Sequence, residues 1–211
     1  MPPSKTRNRP LRKVNKTRKV IRTIYDGVSG FCGAEGFKNA TYGEMKIEGV
    51  EKLVTAFQKL GPIESYPEGK RTFYDLGSGI GQIVLAVAHF VPQIQARGIE
   101  QVPKRVAAAS AALEKVSKEV QSRVHFTEGS FLDSSVDLSD LCWSYVSNLC
   151  SSADVNRRLA EKLNRECPVG CIIACSIKLP FGPQWKDQGD LAVEMSWNNS
   201  STIHLFSRVQ V

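Results

Sequence analysis

Apolar positions along the chain follow two different spacings, which predicts strands interleaved with helices. Short apolar runs bounded by turn residues indicate buried strands, and they lie at 72–76, 94–99, 124–126, 141–146 and 171–177. Apolar residues three and four apart indicate helices with one buried face, and these segments lie at 50–60, 83–90, 104–120 and 154–165. Near the C-terminus, the segments 192–197 and 202–209 flank a polar turn and predict a hairpin.

The alternation of strands and helices predicts an α/β fold with a doubly wound, mostly parallel sheet that ends in an antiparallel hairpin. Ligands of such sheets bind beyond the carboxyl ends of the strands. Polar or acidic residues stand at or beside the ends of the predicted strands, and they are Asp75, Glu100, Ser130 and Asn148. We therefore expect a single ligand site at this edge of the sheet.

The first predicted strand runs into glycines at alternate positions, Gly77, Gly79 and Gly81. Glycine permits a tight turn and a close approach of the ligand to the backbone. The spacing differs from the dinucleotide fingerprint, and Asp75 immediately before the turn would repel a pyrophosphate but suits a cationic headgroup. Glu100 follows Gly81 by 19 residues and can accept hydrogen bonds from ribose hydroxyls. The pattern is typical of the S-adenosylmethionine (SAM) loop of class I methyltransferases, and a turn without a ligand is the plainer alternative.

Composition favours one domain with a buried core, since the 211 residues are 42% hydrophobic. No apolar run approaches the roughly 20 residues that span a bilayer, so no membrane partner is expected. No secretory signal is visible at the N-terminus. The six cysteines form no Cys-x-x-Cys pair, which favours reduced, buried thiols in a reducing compartment over a metal site.

Positive charge is concentrated in one segment of the chain. The net charge is +7, and residues 1–24 contain nine basic residues and no acidic one. This composition predicts a basic disordered arm over 1–24, followed by a helical and irregular segment at 25–70 and a SAM-binding catalytic domain at 71–211. The cations between Lys5 and Arg22 are not interleaved with aromatics, which favours contact with DNA phosphate over contact with bases. A solubilising tail is the alternative.

Several segments, in order, resemble the disruptor-of-telomeric-silencing type of histone H3 lysine methyltransferase, a non-SET, class I family. The resemblance covers about residues 38–209. It is carried by the segments 41–44 (Thr-Tyr-Gly-Glu), 75–82 (the glycine loop), 98–100 (Gly-Ile-Glu), 129–132, 145–148, 176–181 and 195–197. The glycine loop is the most specific of these matches, and the others gain weight from their shared order and spacing.

The resemblance implies a class I SAM-dependent methyltransferase fold with a seven-stranded sheet, and SAM as the cofactor. It further implies a lysine of histone H3 in nucleosomes as the methyl acceptor, a nuclear location and a monomeric enzyme. The residues that would act in catalysis are Asn148, Tyr42 and Trp197. Those that would contact the cofactor are Thr41, Asp75, Gly77, Gly79, Gly81, Gln82, Glu100, Ser130, Phe131 and Asn148.

Three positions depart from the family pattern. Ser130 replaces an aspartate expected at the adenine, Leu149 replaces an aromatic, and His204 falls near a family tyrosine of the lysine channel. His204 is either a proton acceptor or a histidine packed within its strand. The segment 147–150 lacks the proline motif of enzymes that methylate amide or base nitrogens, which disfavours an RNA methyltransferase. A methyltransferase of non-histone lysines, an RNA methyltransferase and a binding module without activity are the alternatives.

Overall fold

The computed structural model describes residues 9–28 and 43–211. Its helices are α1 Arg9–Tyr25, α2 Ile47–Leu60, α3 Gln82–Phe90, α4 Pro103–Leu113, α5 Lys118–Gln121 and α6 Ala153–Glu166. Its strands are β1 Thr72–Leu76, β2 Gln95–Glu100, β3 Val124–Glu128, β4 Leu141–Val146, β5 Ile172–Cys175, β6 Trp185–Val193 and β7 Ser201–Arg208. No helix of the described segments is long and apolar enough to cross a bilayer.

The strands form one seven-stranded sheet in the order β3-β2-β1-β4-β5-β7-β6. Strands β1 to β5 run parallel, and β7 is antiparallel to both of its neighbours. This arrangement confirms the doubly wound sheet with an antiparallel end. Strands β1 and β4 are buried along their whole length, because helices cover both faces of the sheet, and continuous apolar runs are what such strands require.

Two hydrophobic clusters, one on each face, hold the helices against the sheet. The first joins α1, α2 and α3 to the sheet, and in it Phe57 of α2 stacks on Trp143 of β4 with ring centroids 5.3 Å apart. The Trp143 indole donates a hydrogen bond to the carbonyl of Gly61 at 3.0 Å, which also fixes the end of α2. The second cluster packs α6 through Leu159 and Leu163.

Residues Arg9–Tyr25 of the basic segment form helix α1, which differs from the expectation of a disordered arm over 1–24. Residues 1–8 of that expectation lie outside the described residues. In helix α1, Thr17, Ile21 and Ile24 are buried, while Lys16 and Lys19 are exposed. These buried positions are spaced three and four apart, so the helix has an apolar face that its overall basic composition conceals. Ion pairs from Arg18 and Arg22 to Glu51 and Glu48 of α2 then hold α1 against the domain.

Two predicted elements have different boundaries in the structure. The helix expected at 104–120 divides into α4 and α5, and the side-chain amide of Gln121 donates to the carbonyls of Glu114 and Val116 that the break releases. The first strand of the hairpin is β6, which begins at Trp185 and ends at Val193, not at 192–197. Its polar composition hid it, because an edge strand exposes most of its side chains.

The thiols of the described residues are mostly buried, as the composition predicts. Cys142, Cys167, Cys171 and Cys175 are buried and free, and Cys150 is half-buried. Burial raises the pKa of Cys142 to about 12 and that of Cys175 to about 12, so these thiols stay protonated. They serve as small apolar side chains in the core.

Candidate active site

A cavity of about 670 Å³ opens at the carboxyl ends of the parallel strands. Residues that follow β1, β2, β3 and β4 line it, together with the segments 43–45 and 196–197. The position agrees with the expectation for a doubly wound sheet, where loops at the strand ends leave a crevice.

The glycine loop after β1 forms one wall of the cavity. Gly77, Gly79 and Gly81 have φ angles of 92°, 54° and 81°, a left-handed region that favours glycine. Gly77 and Gly79 line the cavity, whereas Gly81 does not. A Cβ built on Gly81 would overlap the ring of Phe126, so this glycine lets the loop pack against β3.

Asp75 is the most unusual polar group of the cavity. The side chain lines the cavity but is only 1% exposed, and neither carboxylate oxygen has a hydrogen-bond partner among the described residues. Burial raises the pKa of Asp75 well above its ordinary value, and the charge of Glu100 adds to the rise. A cation beside this carboxylate would offset both effects. The site therefore fits a ligand with a cationic headgroup, as an amino-acid group provides.

Glu100 connects the glycine loop to the end of β2. Its Oε2 accepts from the N–H of Gly79 and its Oε1 from the N–H of Val102, each at 2.9 Å. Each carboxylate oxygen keeps a further lone pair, and the residue lines the cavity. Glu100 can thus hold the loop in place and still accept hydrogen bonds from ribose hydroxyls.

Three more of the predicted cofactor residues lie at the cavity. Gln82 begins α3, and its side-chain amide donates to the carbonyl of Met45 at 3.3 Å. Ser130 and Phe131 follow β3 and line the cavity. The Ser130 hydroxyl accepts from the N–H of Leu132 at 3.2 Å, which shapes the turn that presents Phe131.

Asn148, predicted as a catalytic and cofactor residue, does not line the cavity. It is fully buried, and its amide exchanges two hydrogen bonds of 2.9 Å with the backbone of Ile177 and donates to Asn156 at 3.0 Å. Ser147 is exposed and lines the cavity in its place. Successive side chains of an extended segment point to opposite sides, so Tyr145 and Ser147 lie on the cavity side.

Trp197 lies at the cavity and is 52% exposed. The adjoining backbone pairs with the segment that contains Gly43, since Lys46 N–H donates to the Glu194 carbonyl at 2.8 Å and Ser196 N–H to the Glu44 carbonyl at 2.7 Å. A Cβ on Gly43 would overlap the indole. We call three lining residues, the half-buried Gly43 and the exposed Leu149 and Trp197, the cavity mouth.

Thr41 and Tyr42 immediately precede the cavity mouth in sequence and lie outside the described residues, so their predicted roles stay predictions. Two further side chains, Phe181 at the end of the segment 176–181 and His204, lie elsewhere. Phe181 stacks on Trp185 with centroids 4.3 Å apart, and the His204 ring pairs with Asp190 at 2.7 Å. Neither lines the cavity. His204 is therefore a strand histidine with an acidic neighbour.

Sequence reasoning did not single out several polar residues that line the cavity, among them Ser147, Tyr145 and Arg105. The Tyr145 hydroxyl lies 3.0 Å from the Ser176 hydroxyl. Burial raises the pKa of Tyr145 above its ordinary value, and the charge of Asp75 adds to the effect. The alternation of side chains along β4 was the available signal for Tyr145 and Ser147. Arg105 is buried near the start of α4, where sequence alone suggests an exposed cation.

Solved structures similar to this one are methyltransferases. An RNA methyltransferase from Salinibacter ruber in complex with S-adenosyl-L-homocysteine is 22% identical, with a TM-score of 0.53 over 75% of this chain and 92% of that one. The mitomycin 7-O-methyltransferase MmcR is 14% identical, with a TM-score of 0.54 over 94% and 68%. Precorrin-6y C5,15-methyltransferase from Geobacter metallireducens GS-15 is 13% identical, with a TM-score of 0.51 over 76% and 87%. These similarities establish the class I methyltransferase fold.

Sequence comparison identifies the family. Among curated protein sequences none matches this chain closely. The sequence profile of the family described as "Histone methylation protein DOT1" matches residues 24–184, which include the glycine loop, Glu100 and the whole of β4. The match agrees with the resemblance seen in the motifs, and the chain therefore belongs to the DOT1 histone methylation family.

Proposed function

We propose that this protein is a SAM-dependent protein lysine N-methyltransferase that acts on a lysine of histone H3 in nucleosomes. One observation carries the proposal. The carboxylate of Asp75, which has no hydrogen-bond partner within the described segments, and the carboxylate of Glu100 lie in the same cavity as the exposed Trp197. The acidic part suits SAM, and the apolar mouth suits the stem of a lysine side chain. Membership of the DOT1 family supports both the cofactor and the acceptor.

SAM is the cofactor, and when bound it supplies a methyl group that the positive sulfonium has already activated. Asp75 would hold the cationic amino group, which pairs its carboxylate and lowers the cost of burying it. Glu100 would accept from the ribose hydroxyls while it holds Gly79. Phe131 would lie against the adenine, and the backbone of Gly77 and Gly79 would pass close to the methionine part.

The cavity mouth would receive the acceptor lysine. A free lysine has a pKa of about 10.4, so at neutral pH its amine must lose a proton before it can react. An apolar wall formed by Trp197 and Leu149, with Tyr42 as a further predicted member, disfavours the charged amine and excludes water. No dedicated base is then required, and His204 takes no part.

The polar group that orients the amine is Ser147 in this proposal. Ser147 lines the cavity and lies beside the glycine loop. A Cβ built on Gly77 would lie 3.8 Å from the carbonyl oxygen of Ser147 and 3.9 Å from the Cβ of Ser147. Asn148, whose amide is engaged with Ile177 and Asn156, positions the backbone of Ser147. A group held beside the reacting atoms lowers the barrier mainly by fixing their alignment.

Helix α1 supports a nucleosomal acceptor. Lys16 and Lys19 are exposed on α1, and the chain carries a net charge of +7. Cations on one helix face attract phosphate independently of base sequence. DNA bound there, by α1 and the other cations between Lys5 and Arg22, would bring the histone face to the cavity mouth, in the nucleus.

A non-histone lysine is the second candidate, favoured by Leu149. This side chain is 50% exposed at the cavity mouth, where the family resemblance predicts an aromatic. A smaller, flexible side chain at the mouth changes the shape offered to the acceptor. The reaction would be the same, and the acceptor would be a lysine on another protein.

A transfer assay with tritiated SAM tests the proposal. Nucleosomes, free histone octamer, total RNA and a cell lysate are offered at one low salt concentration, with wild-type protein and with Asp75→Ala as the inactive control. We expect label on H3 in nucleosomes, with wild type only. Label on another lysine-containing protein would select the second candidate, and label on RNA would refute protein methylation.

A further inference from the structure

Helix α1 reaches the cofactor loop through its last residue. The hydroxyl of Tyr25 donates a hydrogen bond to the carbonyl oxygen of Ile80 at 3.0 Å. Ile80 lies within the glycine loop, between Gly79, which lines the cavity, and Gly81. The contact joins residues 55 positions apart in sequence, so it is a tertiary contact and not part of the local turn.

The loop is therefore held from both sides. Glu100 accepts from the N–H of Gly79 on one side, and Tyr25 donates to the Ile80 carbonyl on the other. The N–H of Gly81 donates to the Ser78 carbonyl at 2.9 Å. These bonds fix the Ser78–Gly79 and Ile80–Gly81 peptide units, in a segment whose glycines would otherwise allow many orientations.

The Tyr25 side chain is suited to a fixed role. Its ring is buried in the first hydrophobic cluster with Ile21, Ile24 and Ile80. Burial raises its pKa above the ordinary value, and the charges of Glu44 and Asp75 add to the rise. The hydroxyl thus remains a hydrogen-bond donor at neutral pH, and it lies close enough to the cavity to feel both carboxylates.

We propose that Tyr25 is a positioning residue of the cofactor site, and that α1 is part of that site through its hydrogen bond to Ile80. In the free protein this bond keeps the loop in the orientation that receives the cofactor. Without it the loop populates other orientations, and the apparent affinity falls with the fraction that is competent. The inference concerns cofactor affinity alone, so it holds whichever acceptor the enzyme methylates.

Isothermal titration with S-adenosyl-L-homocysteine tests the proposal. Tyr25→Phe removes the hydroxyl and keeps the ring. Tyr66→Phe is the matched control, because the Tyr66 hydroxyl also donates to a backbone carbonyl, that of Gly170 at 2.8 Å, and neither residue lines the cavity. We expect Tyr25→Phe to weaken binding by about three- to tenfold and Tyr66→Phe to leave it unchanged, while both lower the melting temperature.

Steady-state kinetics and hydrogen exchange complete the test. In Tyr25→Phe the KM for SAM should rise with little change in kcat, which a general loss of stability would not produce. In wild-type protein, S-adenosyl-L-homocysteine should slow amide exchange in residues 17–25 and leave residues 61–70 unaffected; this measurement needs no variant to fold. Equal affinities of the two Phe variants, or unchanged exchange in residues 17–25, would overturn the proposal.

Discussion

The side-chain amide of Asn148 bonds to both backbone groups of Ile177: it accepts from the N–H and donates to the carbonyl, each at 2.9 Å. This pairing holds the segment after β5 against the segment after β4. It also turns Asn148 away from the cavity, and the neighbouring Ser147 takes the exposed position. The proposal therefore assigns the two adjacent residues separable functions, structural for Asn148 and positional for Ser147.

Asn148→Ala is expected to destabilise the fold by about 1–3 kcal/mol, because it removes two hydrogen bonds to the backbone of Ile177 and leaves the buried side-chain oxygen of Asn156 without this partner. Thermal or urea unfolding measures the loss. Asn199→Ala is the control, since Asn199 is exposed and its side chain accepts a hydrogen bond from the exposed Lys46 at 2.8 Å. This variant should change the free energy of unfolding by less than about 0.5 kcal/mol. A stable but inactive Asn148→Ala protein would restore a catalytic role to Asn148.

Ser147→Ala should show the opposite behaviour. The Ser147 side chain is exposed, so the variant should change the free energy of unfolding by less than about 0.5 kcal/mol. The loss of an orienting group beside the cavity should lower kcat by roughly tenfold. Initial rates at saturating SAM, measured beside the melting temperature, distinguish the two residues. An unaltered kcat would remove Ser147 from the mechanism.

Cofactor binding should release a proton from the carboxyl group of Asp75. The folded protein without ligand holds this carboxyl with a pKa raised from 3.8 by burial and by Glu100. A cationic headgroup favours the ionised form, so below the raised pKa binding expels a proton, and affinity increases with pH until that pKa is passed. Titration of S-adenosyl-L-homocysteine in buffers of different ionisation enthalpy counts the protons. The Asp75→Asn variant should bind S-adenosyl-L-homocysteine weakly and release no proton from the side chain at this position.

The same shift has a consequence for stability. Because the folded-state pKa of Asp75 lies above its unfolded value, the folded state binds more protons between the two values, and stability without ligand falls as pH rises through that window. Asp75→Asn abolishes the buried charge and should therefore be more stable than wild type above the window. Unfolding at several pH values checks this, and a less stable Asn variant at neutral pH would contradict the burial of an unpaired carboxylate.

Gly43→Ala tests the cavity mouth. A Cβ there would overlap the indole of Trp197, so the indole must move. We expect a roughly tenfold lower kcat/KM for the acceptor, a changed tryptophan fluorescence spectrum and an unaltered affinity for S-adenosyl-L-homocysteine. Gly69→Ala is the control, because a Cβ on Gly69 meets nothing within 4 Å. Normal acceptor kinetics in Gly43→Ala would argue against a role of Trp197 in the mouth.

Helix α1 combines a buried face with a basic one, and two variants separate them. Deleting residues 1–24 removes Ile21 and Ile24, whose burial stabilises the fold by about 1.5–3 kcal/mol each, so we expect lower stability and weaker cofactor binding. The double variant Lys16→Glu, Lys19→Glu changes only exposed positions. It should keep the stability and the cofactor affinity of the wild type but lose the preference for nucleosomes over free octamer. A retained preference would exclude α1 as the DNA contact.

Much of the fold was predictable because its signals are local. The apolar runs of β1 and β4 were located to the residue, since strands buried on both faces consist of continuous apolar residues. Strand β6 was misplaced, because an edge strand exposes its side chains and has no such run. Helix α1 was mistaken for a disordered arm, because its cations dominate the composition and its buried residues acquire partners only when α2 and α3 pack against them.

For the site, the sequence by itself determined the glycine loop, Asp75 and Glu100. The conformation of the loop follows from its glycines and from the short connection between β1 and α3, and the charges of Asp75 and Glu100 follow from residue type. Only the tertiary structure decided that Ser147 and not Asn148 faces the cavity, that Trp197 lies across Gly43, and that Tyr25 holds Ile80. Each of these depends on a contact between segments far apart in the chain. Local spacing and propensity contain no information about which distant surface will provide the partner.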